Sequence, residues 1–339
     1  MAVATNAFDP KQFSFLIAEQ DDWGTHAVDE SSPNNSLIAL DVDSIGSPSL
    51  GVEQVLDPRS GSRVLQARDF FHEKRNTLKA MTVSGTATTE GLDLLLSNLT
   101  GDTSSPYAIA SNAATSTLTS ATTNQTDQQL LSIVYKSAYG TNADLSFKDC
   151  FCTNLVLSGS ADAEGGRVKF SATFKTGSLA TDLTDATTTI DTAITSNDYF
   201  ISTWDADDRI VAGVANVIVS SFSLNITNDV VFAGITATGF ESATRAGEIS
   251  ATADFTLMYD SNTAVLFETF NNQTAGASQG ATLMGTDTTP SDGEFEFKFA
   301  SSALTNVGFS EGSLMMLDCS VKALGAGIGS STELFEVAC

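Results

Sequence analysis

Along much of the chain, apolar and polar residues alternate one for one, the period of a strand with one face in a core and the other in water. The stretch Val219 to Phe240 writes this most clearly. Phe222, Leu224 and Ile226 alternate with Ser221, Ser223 and Asn225, Asn228-Asp229 interrupts the run, and Val231 to Phe240 resumes it with small residues. Similar patterning predicts strands over 13–19, 36–43, 78–85, 131–137, 149–158 and 166–176. It predicts a second set over 199–204, 216–226, 248–259, 294–300, 313–323 and 332–337. Two stretches switch to helical spacing. Leu92, Leu95, Leu96 and Leu99 share one face of a helix over 89–99, and Val265, Leu266 and Phe270 mark one face over 261–270. Thr89 and Ser261 open these helices with hydroxyls suited to accept the free N–H groups of a first turn.

Segments dominated by Ser, Thr, Ala, Asn and Asp punctuate the pattern at 101–124, 178–197 and 271–291. The middle one is the natural linker between residues 1–177 and 198–339. Each half then shows one order of elements: an aromatic strand near a tryptophan (Trp23, Trp204), a second strand, a strand leading into a short helix, and closing strands. Identity between the halves is negligible, and only the order repeats. The expected architecture is mainly β, with two tandem β-sandwich or half-barrel domains, each flanked by one short α-helix. The alternative is a single large, irregular β-sandwich.

Composition narrows the function by exclusion. Of 339 residues 42% are apolar, enough for substantial cores, while 16 Lys and Arg face 41 Asp and Glu for a formal charge of −25. Such a surface opposes wrapping nucleic acid, which draws its free energy from cations placed along phosphates, and opposes docking on anionic membranes. The N-terminal residues lack the pattern of a signal peptide, and the longest apolar run, 210–219, is too short to span a bilayer. A soluble, unsecreted protein is expected. Cys150 and Cys152 flank Phe151 on a strand, so their thiols share a face, but neither a second pair nor a nearby histidine completes a zinc site with Cys319 and Cys339. Buried or spare thiols are the expected state, with a disulfide or metal as alternatives.

Catalytic spacing is missing. His26 and His72 stand apart from any nucleophile or base, and no metalloprotease, nucleophile-elbow or phosphate-loop string occurs. Asp21-Asp22 and the acids of 205–208 lack the fixed loop of a recognised calcium site. Asn98-Leu-Thr and Asn225-Ile-Thr match the glycosylation triplet, which means little without secretion. No enzyme activity, cofactor or metal is expected. One charge pattern stands out: Arg59, Arg63, Arg68, Lys74, Arg75 and Lys79 fall within 21 positions, most of them in a segment, 46–76, that reads as a long irregular loop. A basic arm on an acidic body has an obvious destination in another copy, and pairing within its own domain is the alternative.

Several of these segments resemble the major tail, or tail tube, proteins of long-tailed phages. They are 149–176, with Leu155-Val-Leu-Ser158 and Gly165-Gly-Arg-Val-Lys-Phe-Ser-Ala-Thr-Phe174, and 219–228 followed by 245–259. The helix Glu90 to Gly101 after a strand is similar to that family as well. The resemblance covers most of the chain in element order. It implies two tandem tail-tube-like domains in a structural virion protein, assembled in the host cytoplasm. Subunits of this kind join inner strands across copies around a channel, stack their rings through long loops and meet other phage tail proteins. The duplicated order favours a trimeric, pseudo-hexameric ring, with a hexamer possible. Arg59, Arg63, Arg68, Lys74 and Arg75 are then the candidate inter-ring or inter-subunit contacts. DNA would pass an acidic lining without specific binding, although a one-residue change of register exchanges the faces of a strand and leaves the lumen residues unassigned. A β-rich virion decoration or adhesin module is the alternative, and a calcium-dependent secreted binding protein a third reading.

Overall fold

The computed structural model describes residues 13–20, 23–24, 38–45, 49–56, 64, 69–100, 115–119, 130–137, 145–160, 166–178, 181–182, 208–234, 236, 239–273, 278–285, 295–311, 314–325 and 333–338. Alternation translates directly into strands: in Lys169–Thr176, Phe170, Ala172, Phe174 and Thr176 are buried while their neighbours are partly exposed. In chain order the elements are β1 (Phe13–Gln20), β2 (Ile38–Ala39), β3 (Asp41–Ile45), β4 (Ser49–Leu56), β5 (Phe70–Thr86), α1 (Thr89–Thr100), β6 (Thr115–Thr119), β7 (Leu130–Ser137), β8 (Leu145–Ser160) and β9 (Lys169–Thr176). They continue as β10 (Thr181–Asp182), β11 (Asp208–Val211), β12 (Val214–Ala215), β13 (Val219–Thr227), β14 (Val230–Ala233), β15 (Ser242–Arg245), β16 (Ser250–Met258), α2 (Ala264–Asn271), β17 (Gly280–Gly285), β18 (Glu296–Glu311), β19 (Met315–Ala323) and β20 (Glu333–Ala338). The protein is mainly β.

Strand pairing repeats. In the first half the antiparallel chain of neighbours runs β2–β1–β7–β8–β9–β5–β3. In the second it runs β12–β11–β17–β18–β19–β16–β13. Irregularities repeat with it. The register shifts between Val42 and Ser44, Leu131 and Ile133, and Cys152 and Asn154. It shifts at the corresponding places between Val219 and Ser221, Gly280 and Thr282, and Leu304 and Asn306. A bulge is a local decision about one extra residue, so three coincident bulges align the halves residue by residue despite their unlike sequences. At the bulge of each long strand the same bond forms: the Thr153 hydroxyl donates to Thr173 O at 3.2 Å and the Thr305 hydroxyl to Ser320 O at 3.1 Å.

The halves share one sheet. Beyond its bulge, β8 pairs antiparallel with β13, Leu157 opposite Leu224. Eight strands therefore follow one another as β3–β5–β9–β8–β13–β16–β19–β18. One hydrophobic cluster runs through both halves behind this sheet, from Phe15, Val83 and Leu155 to Phe255, Leu304 and Val321. β20 also pairs with β6, so the last strand returns to the first half.

Several expectations change. The segment 46–76 is no irregular loop, because β4 and β5 pair as a long hairpin with Val52 opposite Lys74. His72-Glu-Lys-Arg-Asn76 carries polar or charged residues at successive positions and gives no period-two signal, so only the partner strand reveals its extension. Strands β6, β10 and β17 fall in stretches read as turn-rich, and β18 runs on to Glu311 through Gly308. Residues 199–204, expected as the opening strand of the second half, lie outside the described residues, and β11 takes the place of β1. The expected caps shift: a residue earlier, Thr88, serves α1, whereas the N-cap of α2 is Thr263, which makes no side-chain cap bond, and Asp260 holds the turn ahead of it. Thr88 Oγ1 accepts from Gly91 N–H at 3.4 Å before α1, and Asp260 Oδ1 accepts from Thr263 N–H at 2.9 Å before α2. The latter bond helps hold the Asp260 carboxyl below the usual range.

Candidate assembly interface

The joint between the halves is built from three layers of interaction. The first is the β8–β13 ladder, flanked by Asn154 Nδ2 donating to Asn225 Oδ1 at 3.0 Å. The second is apolar. The β14–β15 hairpin, inserted between β13 and β16, lays Val230 and Phe232 against Leu130, Phe151 and Trp23 of the first half. The Phe151 and Phe232 rings meet edge to face at 5.9 Å.

The third layer is polar and buried. Arg245, at the end of β15, is 8% exposed and reaches into the first half. Its guanidinium donates to Cys152 O at 2.8 Å, Asn228 O at 2.6 Å and Asn98 O at 2.5 Å. It also lies 5.2 Å from the centre of the Phe151 ring. Burial lowers its pKa to about 10, which still leaves it charged at neutral pH. Asn98 O belongs to the last turn of α1, where carbonyls lack helical partners and the helix dipole favours a cation. Asn228 Nδ2 satisfies Leu99 O in the same turn at 2.8 Å, and Asn98 Oδ1 accepts from Cys152 N–H at 2.6 Å. The fork of Arg245 thus joins a helix end, a strand bulge and the hairpin base. In the sequence Arg245 is only the first residue of the segment 245–259, and no local pattern marks it as a joint. A usable signal was the pair of triplets: Asn98 is buried and committed to this joint, and Asn225 lies on the ladder itself, so neither triplet is a free glycan site.

A second surface is the face of the eight-stranded sheet turned away from the core. It carries Ser158, Ser171, Thr173, Ser223, Asn225, Thr252, Thr256 and Ser320, with hydroxyl contacts such as Thr82 to Thr173 at 3.0 Å. Three of its described lysines are paired: Lys169 with Asp43 at 2.8 Å, Lys175 with Asp229 at 2.6 Å and Lys322 with Glu248 at 2.7 Å. Asp254 and Asp318 add acid beyond these pairs, Asp318 accepting from the Thr256 hydroxyl at 2.9 Å. Burial opposes ionisation of Asp229, yet bonds from Lys175 and Val230 N–H, with the charges of Lys175 and Arg245, hold its pKa below the usual carboxylate range. The bond from Lys322 lowers that of Glu248.

Arg59, Arg63 and Arg68 lie outside the described residues, whereas Lys74 and Arg75 are placed on β5 in the β4–β5 hairpin. That hairpin occupies in the first half the insertion point that β14–β15 occupies in the second. Cys150, Cys152 and Cys319 are buried free thiols, and burial pushes Cys152 and Cys319 up to about 12. Cys339 lies outside the described residues. Among the described residues, no three His, Cys, Asp or Glu side chains converge, and no helix is long and apolar enough to cross a membrane. A family model described as phage tail tube protein matches residues 12–329. No curated protein matches the chain.

Proposed function

The chain belongs to the phage tail tube protein family, structural proteins of the virion tail, and we propose that it closes head to tail into rings that stack around a bore for genomic DNA. The observation that carries this reading is the repeated pairing order joined edge to edge through β8 and β13. Two tube domains in one chain, 1–177 and 198–339, make a ring of three copies pseudo-hexameric, and a heterologous contact that closes produces such a ring. With the hydroxyl-rich face inward, duplex DNA meets a hydrated wall on which Lys169, Lys175 and Lys322 are neutralised and Asp254 and Asp318 add negative charge. Like charge keeps DNA from adhering, and no base-specific contact is needed. Arg59, Arg63, Arg68, Lys74 and Arg75 supply the contacts to neighbouring rings or subunits, drawn to the acidic surface of another copy. Other tail proteins meet the ends of the tube, and assembly takes place in the host cytoplasm.

Negative-stain microscopy of the purified protein tests the reading. Hollow tubes or annuli are expected, and persistent monodisperse monomers across concentration and salt would refute it. Reversing Arg59, Arg63 and Arg68 to Glu is expected to shorten the tubes while the melting curve stays in place. Tubes of normal length would remove the arm from assembly.

A further inference from the structure

Where the chain leaves the first half, a buried acid gathers several segments. Asp149, on β8, is 0% exposed and has a left-handed backbone with φ 55°. Residues with side chains visit that region at a cost, which is least for Asp and Asn. Its carboxylate accepts from Gln20 Nε2 at 2.6 Å, from Gly24 N–H at 2.7 Å and from the Ser178 hydroxyl. Gln20 Oε1 in turn accepts from Asp149 N–H at 2.8 Å and from the Ser132 hydroxyl at 3.1 Å. The Thr176 hydroxyl donates to Lys148 O and accepts from Ser178 N–H at 3.1 Å. One carboxylate thus ties the end of β1, the Trp23–Gly24 turn and the first residue of the 178–197 linker.

The second half follows the same plan without this knot. The coincident bulges match Cys152 to Leu304 and Phe174 to Val321, so Asp149 corresponds to Ser301, Thr176 to Ala323 and Ser178 to Gly325. The backbone bond is common to both: Gly177 N–H donates to Asp149 O at 3.3 Å, and Leu324 N–H to Ser301 O at 2.8 Å. The side chains differ. Ser301 stands outside the left-handed region with its hydroxyl on Ser278 Oγ at 2.7 Å, and an added Cβ at Gly325 would meet nothing within 4 Å. This strand arrangement therefore forms without a buried acid. A costly backbone kept in one half alone serves something that half alone does.

The first half alone passes the chain on to the second, and the second half grips the same two residues. Phe240 N–H donates to Gly177 O at 2.8 Å, and Ser178 forms an isolated antiparallel bridge with Gly239. A Cβ on Gly177 would lie 2.8 Å from the Phe232 ring and 3.0 Å from Trp23, and one on Gly239 would collide with Gly177 O. This crossing lies apart from the β8–β13 ladder, whose register starts at Asn154. A ladder sets rotation loosely, since neighbouring strands twist by anything from about 10° to 35°. An attachment away from the ladder removes that freedom. Resting on the tube reading above, we infer that Asp149 is a positioning residue: its bond to Ser178 latches the linker exit between the halves and fixes the rotation of the second half on the first. In a ring that rotation recurs once per copy, so it decides whether rings close at a single size.

Two variants of the full chain test the latch. Ser178→Ala removes the bond to the linker and leaves those from Gln20 and Gly24, whereas Asp149→Gly keeps the left-handed backbone and removes the carboxylate. Hydrogen exchange is followed in peptides covering 176–178 and 236–241, with 130–137 and 154–160 as references. In Ser178→Ala, exchange at 236–241 is expected to rise about tenfold while the reference strands keep parent rates. Parent rates at 236–241 in this variant overturn the latch, whether or not Asp149→Gly folds. An equal rise in the reference strands shows a bond that merely stabilises the first half, and overturns it as well. In negative-stain micrographs, Ser178→Ala is expected to give rings of mixed size and open arcs, and tubes of the parent's single diameter overturn the positioning role while leaving the tube reading intact. Failure of the unmodified protein to form tubes or annuli overturns the tube reading itself, and exchange at 236–241 still decides the latch.

Discussion

Replacing Arg245 by alanine removes a side chain that touches the α1 terminus, the β8 bulge and the β14–β15 hairpin together. Three carbonyl oxygens, Cys152 O, Asn228 O and Asn98 O, lose a charged donor. A buried acceptor deprived of its partner costs about 1–3 kcal/mol, and hydrogen bonds to charged donors lie at the upper end. Two effects reduce the sum. The substitution also relieves the desolvation of a buried cation, and water entering the vacated space can satisfy part of what is lost. A net loss of about 3 kcal/mol is the resulting expectation. At roughly 2 °C or more per kcal/mol for a chain of this size, the melting temperature falls by about 6 °C. Differential scanning calorimetry measures this, and limited proteolysis between 228 and 247 reports whether the hairpin lifts from the first half. Arg245→Lys should fall between the two proteins, because one ammonium cannot span three carbonyls in the geometry of the planar fork. A melting temperature within 1 °C of the parent for Arg245→Ala, with unchanged proteolysis, would show that the ladder and the Phe151–Phe232 contact hold the halves unaided.

Two further expectations follow from the sheet. A Cβ on residue 85 would sit 1.8 Å from Asp41 O and 2.8 Å from Val42 Cα. Gly85→Ala should therefore push β3 off β5 and cost about 1–3 kcal/mol in a thermal melt; an unchanged melt would show that β3 is held from elsewhere. Asp229 and Glu248 have carboxyl pKa values lowered by their lysines, so these pairs stabilise the fold above the ordinary carboxylate value near 4 and lose that effect as pH falls through the lowered folded values. The stability difference between the parent and Lys175→Met/Lys322→Met should shrink as pH falls below about 4, and a difference that stays constant on acidification would exclude the pairs as its source.

Strand alternation and helical spacing needed no tertiary information to be read. Phe170, Ala172 and Phe174 face a core whatever lies beside them, and Leu92, Leu95, Leu96 and Leu99 mark a helix by spacing alone. The order of elements likewise exposed the repeat, because secondary structure depends on local pattern even where identity has been lost. Pairing partners are a different matter. Nothing in Val219–Thr227 says that β8 of the other half lies beside it, since an apolar strand face is compatible with many neighbours. The His72–Asn76 run became a strand only through β4, and Arg245 became a central residue only once folding brought Asn98, Cys152 and Asn228 around it. Sequence determined which residues seek a core and in what periodicity. Only the folded chain decided which edges met, because edge pairing is made by backbone groups that every residue carries alike.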